Sequence, residues 1–213
     1  MFARALPAAS HRAGAVLATL LLAALLAGCA AGSSTSSSSS APAQPAGASG
    51  FAGAALPAGV LAPPFTLLDQ GGRPVSLAGQ RGHVVIVAFV YSTCGATCVV
   101  IAQQIRGALD ELRRAVPVLL ISADPAADTP ARVRRFLSRV SLSGRASYLG
   151  GSPAELRAVW RGFRVIGASA DRAAFERTAS VFLIDRAGRE RVIYQLEQLT
   201  PEALAHDARK LLG

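Results

Sequence analysis

Residues 83–91, His-Val-Val-Ile-Val-Ala-Phe-Val-Tyr, constrain the fold of this chain more than any other segment. A run of β-branched and aromatic residues without polar alternation predicts a strand that is buried on both faces. Residues 97–115 follow with apolar side chains at helical spacing, and residues 116–122 repeat the buried-strand pattern. Since a strand buried on both faces needs a covering layer on each side, the sequence predicts an α/β domain.

The rest of the folded region continues this alternation. An N-terminal β-hairpin is predicted from residues 65–68 and 75–77, and two further strands from residues 179–184 and 190–194. A capping hydroxyl before a proline predicts the starts of three helices: Thr129-Pro130, Ser152-Pro153 and Thr200-Pro201. We therefore expect residues 60–213 to form a central mixed sheet with helices on both faces.

The N-terminus has the features of a secretory signal peptide, which we assign to residues 1–28. Arg4 and Arg12 form a positive region before an uncharged run over residues 13–27, which is too short for a bilayer span of about 20 residues. The run ends in Leu-Ala-Gly-Cys and resembles the lipobox of bacterial lipoproteins, so Cys29 is the expected lipidation site. The alternative is an uncleaved anchor extended to residue 32. Under both readings the domain lies outside the cytoplasmic membrane.

Residues 29–59 are predicted to be a lipidated N-terminus followed by a flexible tether. The segment consists mainly of Ser, Ala, Gly and Pro and contains no charged residue. Such a composition cannot bury enough apolar surface to offset the entropy of ordering. The tether would hold the domain close to the periplasmic side of a bacterial membrane.

Composition narrows the possible functions. The chain has 213 residues, of which 51% are hydrophobic and 16% charged, so wholesale disorder is excluded. Three cysteines are too few for a disulfide-rich miniprotein. The net charge is +9, but no arginine run exceeds two residues, so we predict no nucleic-acid partner.

The chemistry is predicted at Cys94 and Cys98, between the first buried strand and the helix that follows it. Ligand and catalytic sites of open α/β sheets favour the edge at which the parallel strands have their carboxyl ends, and the two cysteines are predicted to lie there. The helix start stabilises a thiolate, and the four-residue spacing lets the sulfurs converge on an ion or form a bridge. Two soft thiolates match a single Cu(I) ion.

Other interpretations of the cysteine pair remain open. The pair could be a permanent structural disulfide, because the predicted compartment is oxidising, or two inert core thiols. A peroxidase is disfavoured, because the peroxidatic pattern requires proline and threonine where Val87 and Tyr91 stand. Reversible thiol chemistry and metal carriage are the two readings we prefer.

Several motifs together resemble the SCO/SenC family: Phe-Thr-Leu at residues 65–67, Phe-Val-Tyr-Ser-Thr-Cys at 89–94 with Cys98, Ile-Ser-Ala-Asp-Pro at 121–125 with Asp-Thr-Pro at 128–130, and Val-Phe-Leu-Ile-Asp at 181–185. The resemblance covers most of residues 60–213. It implies a thioredoxin-like fold and a role in delivering copper to the binuclear copper centre of cytochrome c oxidase, with thiol-disulfide exchange as an allied role. The implied partner is the oxidase subunit that carries this centre, or another periplasmic dithiol protein.

The resemblance also assigns individual residues. Cys94 and Cys98 match the family's copper-binding cysteines, and Asp124 matches an aspartate that tunes or orients the site. The family's third copper ligand is a histidine, and Arg177 stands at its position. A guanidinium has no lone pair for a metal, although its positive charge would stabilise a thiolate.

No other histidine is a good substitute for the missing ligand. His83 begins the buried strand whose far end leads to Cys94, so it belongs to the opposite edge of the sheet. His206 is on the terminal helix and His11 on the signal peptide. The leading prediction is a membrane-tethered copper metallochaperone, the alternative is a thiol-disulfide reductant, and a third reading is a binding or sensing module without metal competence.

Overall fold

The computed structural model describes residues 49–213. The predicted signal peptide, Cys29 and most of the predicted tether lie outside these residues. No helix within the described part is both long enough and apolar enough to cross a bilayer.

Within residues 49–213, six strands form one mixed sheet and two form a separate hairpin. The strands span Ala54–Ala55 (β1), Thr66–Leu68 (β2), Pro74–Ser76 (β3), Val85–Val90 (β4), Val118–Ser122 (β5), Ser147–Leu149 (β6), Ser180–Ile184 (β7) and Glu190–Gln195 (β8). The sheet order is β1-β8-β7-β4-β5-β6, with β4, β5 and β6 parallel to one another and β7 antiparallel to β4. The hairpin consists of β2 and β3.

In the described part of the chain, five α-helices cover the sheet, and the three predicted from a hydroxyl before a proline begin at that proline. The side chains of Thr129, Ser152 and Thr200 each accept a hydrogen bond from a first-turn N–H group. The helices span Ala96–Leu112 (α1), Pro130–Arg139 (α2), Pro153–Gly162 (α3), Arg172–Thr178 (α4) and Pro201–Leu212 (α5).

Aromatic side chains fix helices to opposite faces of the sheet. Phe163, at the end of α3, packs edge-on against Phe89 of β4 at 5.4 Å between ring centroids. Phe136 of α2 packs against Tyr148 of β6 at 6.3 Å. The register places Tyr148 beside residue 120 and residue 120 beside residue 88, so Tyr148 and Phe89 point to opposite faces. The predicted mixed sheet with helices on both faces is confirmed.

Two parts of the fold differ from the sequence prediction. The domain begins before residue 60, since β1 pairs with β8 and Phe51 is buried beneath Arg191 and Lys210. Asp207 fixes this segment by accepting hydrogen bonds from the N–H groups of residues 52 and 53. The end of the predicted tether is therefore folded. A few backbone pairings and one buried aromatic side chain offset the entropy of ordering a segment that has few other large apolar side chains.

The second difference is α4, a helix that the sequence analysis does not predict. Its start is capped by Asp171, whose side chain accepts a hydrogen bond from the N–H of Ala174. The helix has only seven residues and little apolar periodicity, so its sequence gives a weak signal.

Candidate functional site

Cys94 and Cys98 are joined by a disulfide at the carboxyl edge of the sheet, with their Cα atoms 5.7 Å apart. Cys94 lies in the loop after β4, and Cys98 lies in the first turn of α1. Cys94 is 4% exposed and Cys98 is 0% exposed. Both cysteines are therefore buried, but Thr93, Gly95 and Ala96 around the first one are exposed, so Cys94 is the cysteine closer to solvent.

The start of α1 directs an N–H group at the Cys94 sulfur. The backbone N–H of Cys98 donates to Cys94 Sγ at 3.3 Å, and further unpaired N–H groups begin the helix. Hydrogen bonds and the helix dipole at this point stabilise a thiolate relative to a thiol. After reduction, Cys94 is therefore the sulfur best placed to ionise and to act as a nucleophile.

Asp128 fixes the loop that carries the disulfide. Its carboxylate accepts hydrogen bonds from the Ser92 N–H, the Ser122 hydroxyl and the Tyr148 hydroxyl, each at 2.6 Å. The Ser92 hydroxyl in turn donates to the Ala127 carbonyl at 3.2 Å. Burial raises the pKa of Tyr148 well above its usual value, and the negative charge of Asp128 raises it further. Tyr148 therefore stays protonated and remains a donor to Asp128.

A second network ties α4 to the same loop. Arg172 forms an ion pair with the buried carboxylate of Asp124 at 3.1 Å and lies over the Tyr91 ring. The Tyr91 hydroxyl donates to Glu176 at 3.1 Å. Burial raises the pKa of Tyr91, and its hydrogen bond to Glu176 raises it further. These contacts hold α4 beside Tyr91, the residue that connects β4 to the disulfide loop.

Arg177 lies at the same edge of the sheet as the disulfide. It is in the last turn of α4, just before β7, and its side chain is exposed. Because β7 runs antiparallel to β4, the start of β7 lies beside the carboxyl end of β4. The backbone thus brings position 177 to the correct edge, and the structure gives the guanidinium no hydrogen bond or ion pair within the described residues.

The described histidines lie away from the cysteines. His83 precedes β4 and is therefore at the opposite edge of the sheet, and His206 on α5 contacts the Gly50 carbonyl. Within residues 49–213 there is no group of three or more His, Cys, Asp or Glu residues that could hold a metal ion. Two sulfurs are thus the soft donors that this edge provides.

Three residues of the site were missed by the sequence analysis as functional candidates. Asp128 belongs to the Asp-Thr-Pro motif but had no role assigned, although an aspartate just before a helix start at a sheet edge is a recognisable signal. Tyr148 and Arg172 reach the site from β6 and α4. Nothing local in the sequence predicts their contacts, because both are long-range.

Comparisons with known proteins agree with this geometry. The family profile described as SCO1/SenC matches residues 54–213. A Bradyrhizobium japonicum ScoI structure with copper bound is 29% identical, with a TM-score of 0.54, and the match covers 71% of this chain and 99% of that one. The predicted thioredoxin-like fold is confirmed by this likeness and by a thioredoxin domain of a Bacteroides vulgatus thiol-disulfide oxidoreductase, which has a TM-score of 0.57, 16% identity and coverage of 74% and 99% of the two chains.

A curated relative gives a partial match to a different class of protein. Peroxiredoxin Bcp of Escherichia coli K12 is 38% identical over 89 residues, which are 41% of this chain and 54% of the relative. The chain thus spans about half the length of this curated relative. Val87 and Tyr91 still occupy the positions where a peroxidatic motif requires proline and threonine.

Proposed function

This chain belongs to the SCO1/SenC family, and on that premise we propose that it handles copper for the assembly of cytochrome c oxidase through Cys94 and Cys98. The observation that carries the proposal is the convergence of two sulfurs at the carboxyl edge of the sheet, beside a helix start and next to the exposed residues Thr93, Gly95 and Ala96. Reduction of the disulfide by an external dithiol, which is itself oxidised to a disulfide, supplies two electrons and two protons and gives the Cys94–Cys98 dithiol. Loss of both thiol protons then provides two thiolates for one Cu(I) ion.

The cargo fits a site of two ligands better than a site of three. Two-coordinate Cu(I) needs no histidine, whereas the family's three-ligand arrangement would require one where Arg177 stands. The positive charge of Arg177 at the same edge offsets part of the negative charge of a Cu(I) bis-thiolate. Asp124 has its carboxylate paired with Arg172, which gives it a role in holding α4 beside the site.

The place of action follows from the N-terminus. A signal peptide over residues 1–28 and lipidation at Cys29 would put the domain on the periplasmic side of a bacterial membrane. The client would be the oxidase subunit that carries the binuclear copper centre. Incorporation of radiolabelled palmitate into the wild-type protein in cells, and its loss in Cys29→Ser, tests the anchor.

A second candidate function is reduction of disulfides in a periplasmic client. It is favoured by Arg177, since a cation at the edge that carries Cys94 stabilises the attacking thiolate. This function predicts catalytic disulfide turnover that falls in Arg177→Ala and returns in Arg177→Lys, which keeps the charge. A turnover rate no higher than that of a free thiol counts against it.

Copper retention in Arg177→His tests the main proposal. The reduced wild-type protein should retain one Cu(I) per chain against a chelator of moderate affinity, and Cys94→Ala should abolish this retention. Arg177→His adds a donor at the family's position and should raise the Cu(I) affinity by about tenfold or more. The matched control is Arg189→His, because Arg189 is an exposed arginine in the turn before β8, at the opposite edge of the sheet.

Two outcomes would contradict the proposal. If the reduced wild-type protein retains no Cu(I), the sulfur pair is not a copper carrier. If Arg189→His gains as much affinity as Arg177→His, the gain comes from a surface histidine and not from a site built on the cysteines.

A further inference from the structure

A cleft of about 310 Å³ opens at the edge of the sheet that carries the disulfide. It lies where β5 and β6 end, between the β2–β3 hairpin and the start of α2, and we call it the hairpin cleft. Its apolar walls are Leu68, Pro125, Pro130 and Val133, and Asp128 and Tyr148 are among its polar lining residues. The cleft is therefore mostly apolar with a few polar groups, as is usual for a binding site.

The hairpin cleft lies within reach of a segment that reacts at Cys94. The disulfide loop follows β4, the loop of Pro125 and Asp128 follows β5, and the far wall follows β6. Neighbouring strands are about 4.8 Å apart, so the cleft is on the order of 10 Å from the disulfide. An extended chain covers this distance with about three residues.

Asp128 connects the cleft to the disulfide loop physically. The same carboxylate lines the cleft and accepts the Ser92 N–H hydrogen bond at 2.6 Å. Ser92 is two residues before Cys94. A group that fills the cleft thus contacts the residue that positions the reactive loop.

The cleft has apolar walls, and the protein's own side chains do not fill the space between them. Leu68 is 51% exposed, although most of the large apolar side chains in this domain are buried. Gly150 also lines the cleft, and a Cβ atom built there would meet no atom within 4 Å. Because protein interiors are normally close-packed, this unfilled apolar space is free for a side chain of a partner.

The helix beside the cleft indicates the charge of that partner. The sequence of α2 contains four arginines and no acidic residue. Arg134 follows Pro130 by four positions and therefore lies on the helix side that faces the cleft. Arg134 and Arg135 are exposed and form no ion pair within the described residues. The two carboxylates that line the cleft are already satisfied, since Asp69 is paired with Arg73 and Asp128 accepts three hydrogen bonds. The arginines therefore set the charge beside the cleft, which attracts an acidic segment and repels a basic one.

We propose that the hairpin cleft receives an apolar side chain from an extended, acidic segment of the client protein, a few residues from the client cysteine that reacts at Cys94. The proposal rests on the proposed function, because it takes the Cys94–Cys98 pair to be the reactive centre. A protein client is favoured over an anionic membrane, since a lipid headgroup would use the arginines but not the apolar cleft.

The client reacts with the oxidised protein by thiol-disulfide exchange at Cys94. The client thiolate attacks Cys94 Sγ and forms a mixed disulfide, while the Cys94–Cys98 bond breaks and Cys98 leaves as a thiolate. This is the reverse of the last step of client reduction, in which the Cys98 thiolate attacks Cys94 in the mixed disulfide and releases the reduced client. Attack at Cys94 agrees with the burial of Cys98. Docking in the cleft would raise the rate of this step by placing the client sulfur near Cys94.

The test uses a short acidic peptide with one cysteine and a leucine three positions away, together with a matched peptide in which serine replaces the leucine. The measured quantity is the rate at which each reduced peptide opens the disulfide of the oxidised protein. We expect the leucine peptide to react about tenfold faster than the serine peptide. The small thiol 2-mercaptoethanol, which cannot fill the cleft, gives the basal rate.

Three variants locate the effect. Gly150→Leu fills the open space, Leu68→Ser removes an exposed apolar wall, and Arg134→Glu reverses the charge beside the cleft. Each should slow the leucine peptide about tenfold and leave the rate with 2-mercaptoethanol unchanged. The matched controls Leu61→Ser and Arg189→Glu change exposed residues that pair with each other at the opposite edge of the sheet, and they should have no effect.

Equal rates for the two peptides, or unchanged peptide rates in the cleft variants, would overturn the proposal. The proposal would also be overturned if the peptide rates are unchanged in the cleft variants while the protein binds phosphatidylglycerol vesicles and Arg134→Glu abolishes that binding. If 2-mercaptoethanol cannot open the disulfide, the proposed function fails instead. The cleft proposal is then tested separately with a leucine peptide whose cysteine is replaced by serine. Weaker binding of this peptide to Gly150→Leu than to the wild-type protein supports the cleft proposal, and an unchanged Kd overturns it.

Discussion

The Arg172 guanidinium lies 3.1 Å from the carboxylate of Asp124. Asp124 follows β5 and is buried, whereas Arg172 begins α4 and is largely exposed. The ion pair therefore fixes the start of α4 to the loop beside the disulfide, and Arg177 is on the same short helix. Since a buried carboxylate is costly without a partner, this contact stabilises the arrangement of the whole edge.

Removing the guanidinium should leave the Asp124 carboxylate with one weak donor, the N–H of Ala127 at 3.4 Å. We expect Arg172→Ala to lower the free energy of unfolding by about 1–3 kcal/mol, the cost of a buried polar group that loses its partner. Denaturant unfolding measures this change. The control is Arg106→Ala, which breaks an exposed ion pair with Asp110 and should cost at most about 1 kcal/mol. Equal losses in the two variants would show that the Asp124 contact has no special weight.

The two cysteines should differ in reactivity when each is tested alone. In a Cys29→Ser chain, Cys98→Ser leaves the thiol of Cys94 and Cys94→Ser leaves the thiol of Cys98. Cys98 is fully buried, so we expect it to react with iodoacetamide at least about tenfold more slowly than Cys94. Mass spectrometry of samples quenched over time gives both rates. If Cys98 reacts as fast as Cys94, the assignment of Cys94 as the attacked and attacking sulfur is wrong.

Loss of the Asp128 carboxylate should destabilise the disulfide loop. Asp128→Ala leaves three donors without their acceptor, those of Ser92, Ser122 and Tyr148. We expect a loss of about 3 kcal/mol in the free energy of unfolding, with a smaller loss for Asp128→Asn, which keeps one acceptor oxygen. Asp110→Ala is the surface control, because its two arginine contacts are exposed. A loss in Asp128→Ala that does not exceed the surface control would contradict this role.

The tyrosines should ionise only at unusually high pH while the protein is folded. The chain has three tyrosines, each of which donates a hydrogen bond to a carboxylate: Tyr91 to Glu176, Tyr148 to Asp128 and Tyr194 to Asp207. Burial raises the pKa of all three above the usual value of 10.0, and the carboxylates raise it further. Each folded-state pKa exceeds the unfolded one, so the stability from these groups is complete below pH 10 and is lost as the pH rises above it.

Phenolate absorbance, followed as the pH is raised, tests this prediction. The native protein should show little phenolate near pH 10, where the protein unfolded in guanidinium chloride is half ionised. Tyr91→Phe should remove one phenolate from the high-pH transition and leave the other two. Three phenolates that titrate normally in the native state would contradict the burial and the hydrogen bonds described above.

The sequence was sufficient for the elements whose causes are local. Three local patterns were enough to predict elements. They are the unbroken β-branched run of β4, the apolar spacing of α1, and the Ser or Thr followed by proline at the starts of α2, α3 and α5. Cys94 and Cys98 could be placed at the carboxyl edge of the sheet because a strand pattern ends just before them and a helix pattern begins. The α/β architecture followed from the alternation of these elements.

Only the tertiary structure decided how distant segments meet at that edge. Asp128 contacts Tyr148 across 20 residues, Arg172 contacts Asp124 across 48, and Asp207 anchors residue 52 across 155. Such contacts depend on the packing of whole elements and leave no periodic trace in the sequence. The same reason explains why α4, the folded start at Phe51 and the hairpin cleft required the structure, since each exists through the segments packed around it.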